Sequence, residues 1–422
     1  MKKIVILTAS MLLSLLTLSA QEDAGKKGWV FTPMPDLGYN SDTGLNLGTF
    51  CDFFYYGDGT SYPNYLDRVS VAYCWTSKGA WYLHGLWDSK DAIDGLRLTL
   101  SSTYKDNTVN NFYGYNGLAS PYDPLLDVNT ETGTALYTTG RKMFRALGSV
   151  QGKITENLSW LTGLTFRRFV YSDTRADVYD KENTLYRKYM QYGLINDDEA
   201  AGGSSVELKA GLVYDSRDVE QAPHKGMYGE LYLLGNKDIS HKHYDFLKLV
   251  AHFRHFIPVA NWFTVAYHLG YQGVVAGEQP FFMLQDISTL YYFDSDSEGL
   301  GSRYTVRGTL YDRLLGNGYA WSNFELRLRL FRFNLWKQYF EIITNPFFDA
   351  GAIVSPFRLD AQKAVSDPLV YSGVKDGVHL SAGVGLKLHM NTNFILSVEA
   401  GKAFEKQLAN GLGVSLATTY VF

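Results

Sequence analysis

The residues most suggestive of chemistry lie in three charged stretches. Tyr304-Thr305-Val306-Arg307-Gly308-Thr309-Leu310 sets one guanidinium among small and apolar neighbours, and Gly316-Asn317-Gly318 and Glu325-Leu326-Arg327 follow it. Pro346-Phe347-Phe348-Asp349-Ala350-Gly351 carries a lone carboxylate, and Asp215-Ser216-Arg217-Asp218 alternates both signs. Such groups can pair charge, but their spacing makes and breaks no covalent bond. Ser and His never combine with an acid at nucleophile spacing, and no Gly-x-Ser-x-Gly, phosphate loop or dinucleotide fingerprint occurs. Asp294-Ser295-Asp296-Ser297-Glu298-Gly299 opens like a calcium loop, yet Thr305 stands where the closing bidentate acid belongs, so it reads as an acidic surface loop. His241, His243, His252 and His255 differ in strand phase and have no Cys or carboxylate to complete a site. The expectation is a protein that is not an enzyme and holds no metal or cofactor.

The elements that position these charges repeat every two residues. Phe324, Leu326, Leu328 and Leu330 alternate with Glu325, Arg327 and Arg329. A soluble sandwich would not bury such charges. In a barrel with a wet lumen they face water and one another, while the leucines face lipid. At the C-terminus Leu412, Val414, Leu416, Thr418, Tyr420 and Phe422 form the apolar set against Gly411, Gly413, Ser415, Ala417 and Thr419. The same rule yields sixteen segments of roughly ten to sixteen residues, the length a tilted spanning strand needs. They begin near Trp29, Gly44, Tyr65, Ala80, Leu96, Gly140, Leu158, Ser204, Met227, Tyr244, Trp262, Ala320, Tyr339, Asp376, Asn393 and Gly411. The predicted fold is all-β, a transmembrane antiparallel barrel of sixteen strands at 29–422.

Ends and composition agree with that reading. Met1-Lys2-Lys3, an apolar run from Ile4 to Leu18 and small Ser19-Ala20 form a signal peptide at 1–20, leaving 21–28 as a short periplasmic segment. No later stretch runs ~18 apolar residues without charge or Gly, which excludes a helical membrane protein. Gly at 40 and Tyr at 31, with 15% aromatics, suit strands with one greasy and one wet face and an interfacial aromatic girdle. A net charge of −4 and the absence of a basic block exclude a nucleic-acid partner. Cys51 falls on the outward set and Cys74 on the inward set, so a disulfide between them is poorly placed. Long connections at about 107–139, 173–203 and 278–319 alternate with short links such as Pro258-Val259-Ala260-Asn261 and Asn391-Thr392, as external loops alternate with periplasmic turns. The first strands break this rule, because the connection from Gly57 to Asn64 is the longer one there.

The arginine loop, the Phe348-Asp349-Ala350-Gly351 strand end and two further motifs resemble the bacterial surface antigen superfamily, the Bam-type barrels that insert outer-membrane proteins. Leu212-Val213-Tyr214-Asp215-Ser216-Arg217-Asp218, followed by Pro223 and Gly226, is similar to the family's Asp-x-Arg-Asp strand end. Asn111-Phe112-Tyr113-Gly114-Tyr115-Asn116 is similar to its Phe-x-Gly-x-Gly-Asn loop motif, with Tyr115-Asn116-Gly117 departing from the usual order, and Thr309 stands where the family has an aromatic residue. The resemblance implies a long sixth external loop folded into the lumen, where Val306, Arg307 and Gly308 form a latch and Asp349 accepts the arginine as a bidentate pair. Glu399 points inward on its strand and could share the arginine, and Tyr420 and Phe422 would be the terminal assembly signal. Only Gln21 to Gly28 precede the first strand, so the member expected is one without polypeptide-transport-associated domains, and a partner would receive the client.

Pro33 and Pro35 stand two apart, so both missing donors lie on one side of the first strand. If that side faces Gly411 and Gly413 of the last strand, the barrel closes on a weak lateral seam that opens towards lipid. Two functions follow. One is an assembly or translocation barrel whose partners are outer-membrane lipid and periplasmic or outer-membrane assembly proteins. The other is a passive channel or structural barrel, with Lys209, Lys248, Arg254, Arg327 and Arg329 lining an anion-preferring pore.

Overall fold

A computed structural model describes residues 26–40, 44–62, 64–127, 134–174, 182–220, 222–290, 299–301, 303–335, 338–390, 394–409, 411–417 and 422. The leader at 1–20, Asp294 to Glu298 of the calcium-like loop and Tyr420 lie outside them. The strands are β1 (Trp29–Asn40), β2 (Gly44–Tyr55), β3 (Asp67–Thr76), β4 (Trp81–Ile93), β5 (Leu96–Asn111), β6 (Thr138–Lys153), β7 (Leu158–Ser172) and β8 (Ser204–Asp215). Then follow β9 (Gly226–Asp238), β10 (Phe246–Ala260), β11 (Phe263–Gly277), β12 (Gly318–Leu335), β13 (Gln338–Ser355), β14 (Val378–Met390), β15 (Phe394–Ala403) and β16 (Gly413–Ala417). They form one 16-stranded sheet in chain order, each pairing antiparallel with its neighbours, and β16 comes to lie beside β1. This is the predicted barrel. Among the described residues no helix is long and apolar enough to cross a membrane.

Period-two alternation sorts the wall. Glu325 is 0% exposed and Arg327 5%, whereas Phe324 and Leu330 are 42% and 48% exposed to the lipid side. Inward charges compensate one another across strands, as in Arg68–Asp52 at 2.9 Å and Arg167–Glu207 at 2.9 Å. The two cysteines are not joined by a disulfide: Cys51 faces out opposite Val71 while Cys74 faces in opposite Gly48, the phase difference expected from sequence.

The long external connections hold at 112–137, 173–203 and 278–317, and the structure adds a fourth at 356–377. That loop has no strand-like alternation to contrast with its flanks, so counting strands passes over it. These four loops pack into one aromatic cluster over the external end, including Phe112, Tyr115, Tyr189, Phe281 and Phe357. Tyr115 meets Tyr189 and Phe357 edge-on with ring centroids 4.9 Å and 4.8 Å away, the geometry aromatic quadrupoles favour.

Two expectations about the C-terminus are corrected. Gly411, with φ of 95°, precedes β16 instead of lying in it. Phe422 does not continue the lipid-facing row: it is buried in the lumen between Phe256 and His268, and its main-chain oxygen accepts from Arg327 Nη2 at 2.8 Å. Burying the ring against a cation and two aromatic groups replaces contact with lipid.

Candidate functional site

The sixth external loop descends into the barrel, and its tip presents Arg307 to the inner wall of β12 to β15. Arg307 Nε donates to Asp349 Oδ2 at 2.8 Å and Nη2 to Oδ1 at 2.7 Å, while the Arg307 main-chain N–H adds a third bond at 3.0 Å. That is the two-pronged geometry in which guanidinium and carboxylate match best. Nη1 reaches Glu325 Oε1 at 2.6 Å and Glu399 at 3.3 to 3.4 Å. The guanidinium also lies over the Phe347 ring, 3.6 Å from its centroid.

Burial at this depth requires that charges balance. Asp349 and Glu325 are 0% exposed and Arg307 2%, so water supplies little solvation. Arg327 Nε binds Glu325 at 2.9 Å, and Lys387 Nζ binds Glu399 at 2.7 Å. Arg307, Arg327 and Lys387 therefore face Asp349, Glu325 and Glu399, and Asn345 bridges the two glutamates at 3.2 Å and 2.8 Å. Sequence reasoning placed Arg307, Asp349 and Glu399 here but gave Glu325 no part in the latch. Its signal was present in the inward parity it shares with Arg327.

Glycine lets the latch approach the wall. Gly308 has φ of 82°, and a Cβ there would stand 2.5 Å from the Gly401 carbonyl carbon on β15. A Cβ on Gly413 of β16 would meet Gly308 Cα at 2.9 Å, so the tip touches the last strand as well. Val306 is fully buried beside Gly351, whose missing side chain makes room for it. Beyond the tip, Leu310 N–H donates to Leu408 O at 2.8 Å, and Asn323 Nδ2 holds Thr305 O at 2.6 Å.

At the edge, β1 pairs with β2 without interruption through Pro33↔Cys51 and Pro35↔Thr49. An antiparallel ladder directs alternate residues to opposite sides, so neither proline's missing donor interrupts the β2 side, and both face the β16 edge. Among the described residues β16 covers 413–417, its register with β15 runs from Gly401↔Gly413 to Ser397↔Ala417, and no register joins it to β1. Pro33 and Gly413 thus lie on the two strands that meet, while Gly411 is outside the ladder.

The third motif closes the β8 end. Arg217 Nε and Nη2 clasp Asp215 at 2.8 Å and 2.7 Å, and the guanidinium covers the Tyr228 ring at 4.5 Å. Asp218 Oδ1 accepts the N–H groups of Val219, His224 and Lys225 at 3.0, 3.0 and 3.2 Å. In the external loops Asn116 exchanges hydrogen bonds with the Phe357 backbone at 2.8 Å and 2.7 Å. Arg313 donates to Gln407, Gly117 and Ser120 carbonyls at 3.0, 3.0 and 2.8 Å, a junction no local pattern announces because its acceptors are backbone. Burial pushes the Tyr189 hydroxyl up to about 12, so it remains a neutral partner of Ser120 Oγ at 2.7 Å. Lys209, Lys248 and Arg254 do face the lumen and are buried there. His241 and His243 sit in a loop, His252 faces in and stacks on His268, and among the described residues no group of His, Cys, Asp and Glu is arranged to hold a metal.

Fold and site together define an outer-membrane β-barrel with a charged loop latched inside its lumen. An Omp85 superfamily domain matches residues 85–407, and the chain belongs to the Omp85 superfamily. Its fold is similar to that of BamA from Haemophilus ducreyi lacking POTRA domains 1–3, at 15% identity and a TM-score of 0.56 over 94% of this chain and 71% of that one. CdiB from Escherichia coli is similar at 12% identity and a TM-score of 0.56, covering 92% of this chain and 62% of that one. CdiB from Acinetobacter baumannii, at 12% identity and a TM-score of 0.50, is covered over 60% of its length and this chain over 94%, so the chain spans less than two thirds of either CdiB. No curated protein sequence matches the chain.

Proposed function

We propose that this barrel assists the assembly or translocation of outer-membrane or surface proteins, opening laterally between β1 and β16 while the Arg307 latch holds the adjoining wall of β12 to β15 in register. The reading rests on one observation: the latch tip lies against Gly413 of β16, the strand that comes beside the proline-bearing β1. A displaced latch would release β16, and a released β16 would expose strand edges to which an incoming strand can pair. Outer-membrane lipid and periplasmic or outer-membrane assembly proteins are the partners this reading implies. The inward cations favour a pore instead, but the aromatic cluster of loops covers the external end of such a path.

The test is a disulfide introduced between β1 and β16 in a background without Cys51 and Cys74. Oxidation should stop the assembly of client barrels in native outer membranes while the protein keeps its heat-shifted mobility on gels. Undiminished assembly by the cross-linked protein would contradict lateral opening.

A further inference from the structure

The connection from β8 to β9, residues 216–225, does not turn tightly at the rim. Glu220 Oε1 lies 2.6 Å from Lys90 Nζ on β4, and Oε2 lies 3.4 Å from Arg97 Nη2 on β5. Ala222 packs on Ile395 of β15, and the Pro223 carbonyl accepts from Arg327 Nη1 of β12 at 3.4 Å. In the order of the sheet β4 and β5 stand on one side of the β8–β9 pair and β12 and β15 on the other. One short connection touching both flanks lies across the periplasmic mouth. Its stems are fixed by the Arg217–Asp215 clasp and by Gly226, where φ is 103° and a Cβ would strike Ser216 O. The tip is held by charge.

The pocket that holds it is itself organised. Lys90 Nζ lies 4.5 Å from the Tyr65 ring centroid, Tyr65 Oη donates to Asp88 Oδ2 at 2.8 Å, and Arg97 Nη2 donates to the same oxygen at 2.8 Å. Two cations face one local carboxylate, and Glu220 supplies the second. Removing Glu220 without a replacement would leave a partly buried positive charge uncompensated. Opening is therefore easiest when another carboxylate takes its place.

We propose that the β8–β9 connection is a tethered plug of the periplasmic mouth, and that Lys90, Arg97 and Tyr65 form a carboxylate site held at rest by Glu220 and taken over by an acidic polypeptide segment entering the lumen. The last clause names the client chemistry and rests on the assembly reading; the plug does not. The experiment places a single cysteine at Ser149, buried on β6 opposite Thr99, in the C51S C74S protein and follows its labelling by a bulky maleimide in detergent.

Glu220→Gln and, from the opposite wall of the contact, Lys90→Gln should each raise the labelling rate about tenfold, the opening expected on losing a charge-assisted contact. An oxidised A222C I395C pair should slow it below the parent. A hexaglutamate peptide should accelerate labelling of the parent, and hexalysine should not. Heat-shifted mobility on gels identifies the folded variants. Unchanged rates in folded Glu220→Gln and Lys90→Gln proteins overturn the plug, and equal effects of the two peptides overturn the carboxylate site. No client or partner is present in the assay, so failure of client assembly leaves its outcome readable.

Discussion

The wall from β12 to β15 and the edge where β16 meets β1 are built in opposite ways. In the wall, β12 and β13 are 18 residues each, and three cations and three carboxylates close a network around Arg307. At the edge β16, described over 413–417, lies beside a strand carrying two prolines, and no register joins the two among the described residues. A barrel needs every backbone donor satisfied within the bilayer, so an under-paired edge is costly in lipid. On the proposed function, concentrating the cost at one edge, beside a wall rich in ion pairs, sets where the cylinder would open.

The largest expected effect breaks the wall. Arg307→Ala strands Asp349 as a buried charge and leaves Glu325 paired with Arg327 alone, and removing one partner of such a network costs about 3–5 kcal/mol. Urea titration of loop protection from protease should report that loss as a lowered midpoint. Arg307→Lys should recover part of it, because a point charge cannot make the two-pronged contact with Asp349. Full loop protection in Arg307→Ala would mean that the latch is not what orders the loop.

A smaller change sharpens the contrast from the edge. Replacing Pro33 and Pro35 by Thr restores two donors on the β16 side, and each new ladder bond contributes about 1 kcal/mol at most. The double variant should unfold at a higher temperature and assemble clients more slowly. Equal stability with equal assembly would show that the prolines do not weaken the seam.

The smallest effect concerns acid. Burial pushes the Glu220 carboxyl up, but Arg97, Lys90 and Arg217 outweigh it and hold the group well below its ordinary value of 4.5. A depressed carboxylate stabilises the docked plug fully above that ordinary value, and the contribution is lost as pH falls through the lower docked one. Ser149→Cys labelling, taken relative to the Glu220→Gln protein at each pH, should stay flat from neutral to mildly acidic conditions. A rise already at pH above 5 would place Glu220 outside the cation pocket.

Much of the barrel was legible in the chain because a strand in a bilayer obeys a rule only two residues long. Trp29, Gly44, Leu96, Leu158 and Ser204 begin strands where alternation placed them. The phases of Cys51 and Cys74 and the inward parity of Asp349, Glu325 and Glu399 followed from that rule alone. Family motifs supplied the meeting of Arg307 with Asp349 across 42 positions. Periodicity is silent about irregular backbone, and there the tertiary structure decided: that Phe422 turns into the lumen, that residues 356–377 join the external cluster, and that Glu220 crosses to Lys90. In each case the contact is set by which charges and rings are left uncompensated once the cylinder has formed, a quantity belonging to the assembled lumen and to no segment of it.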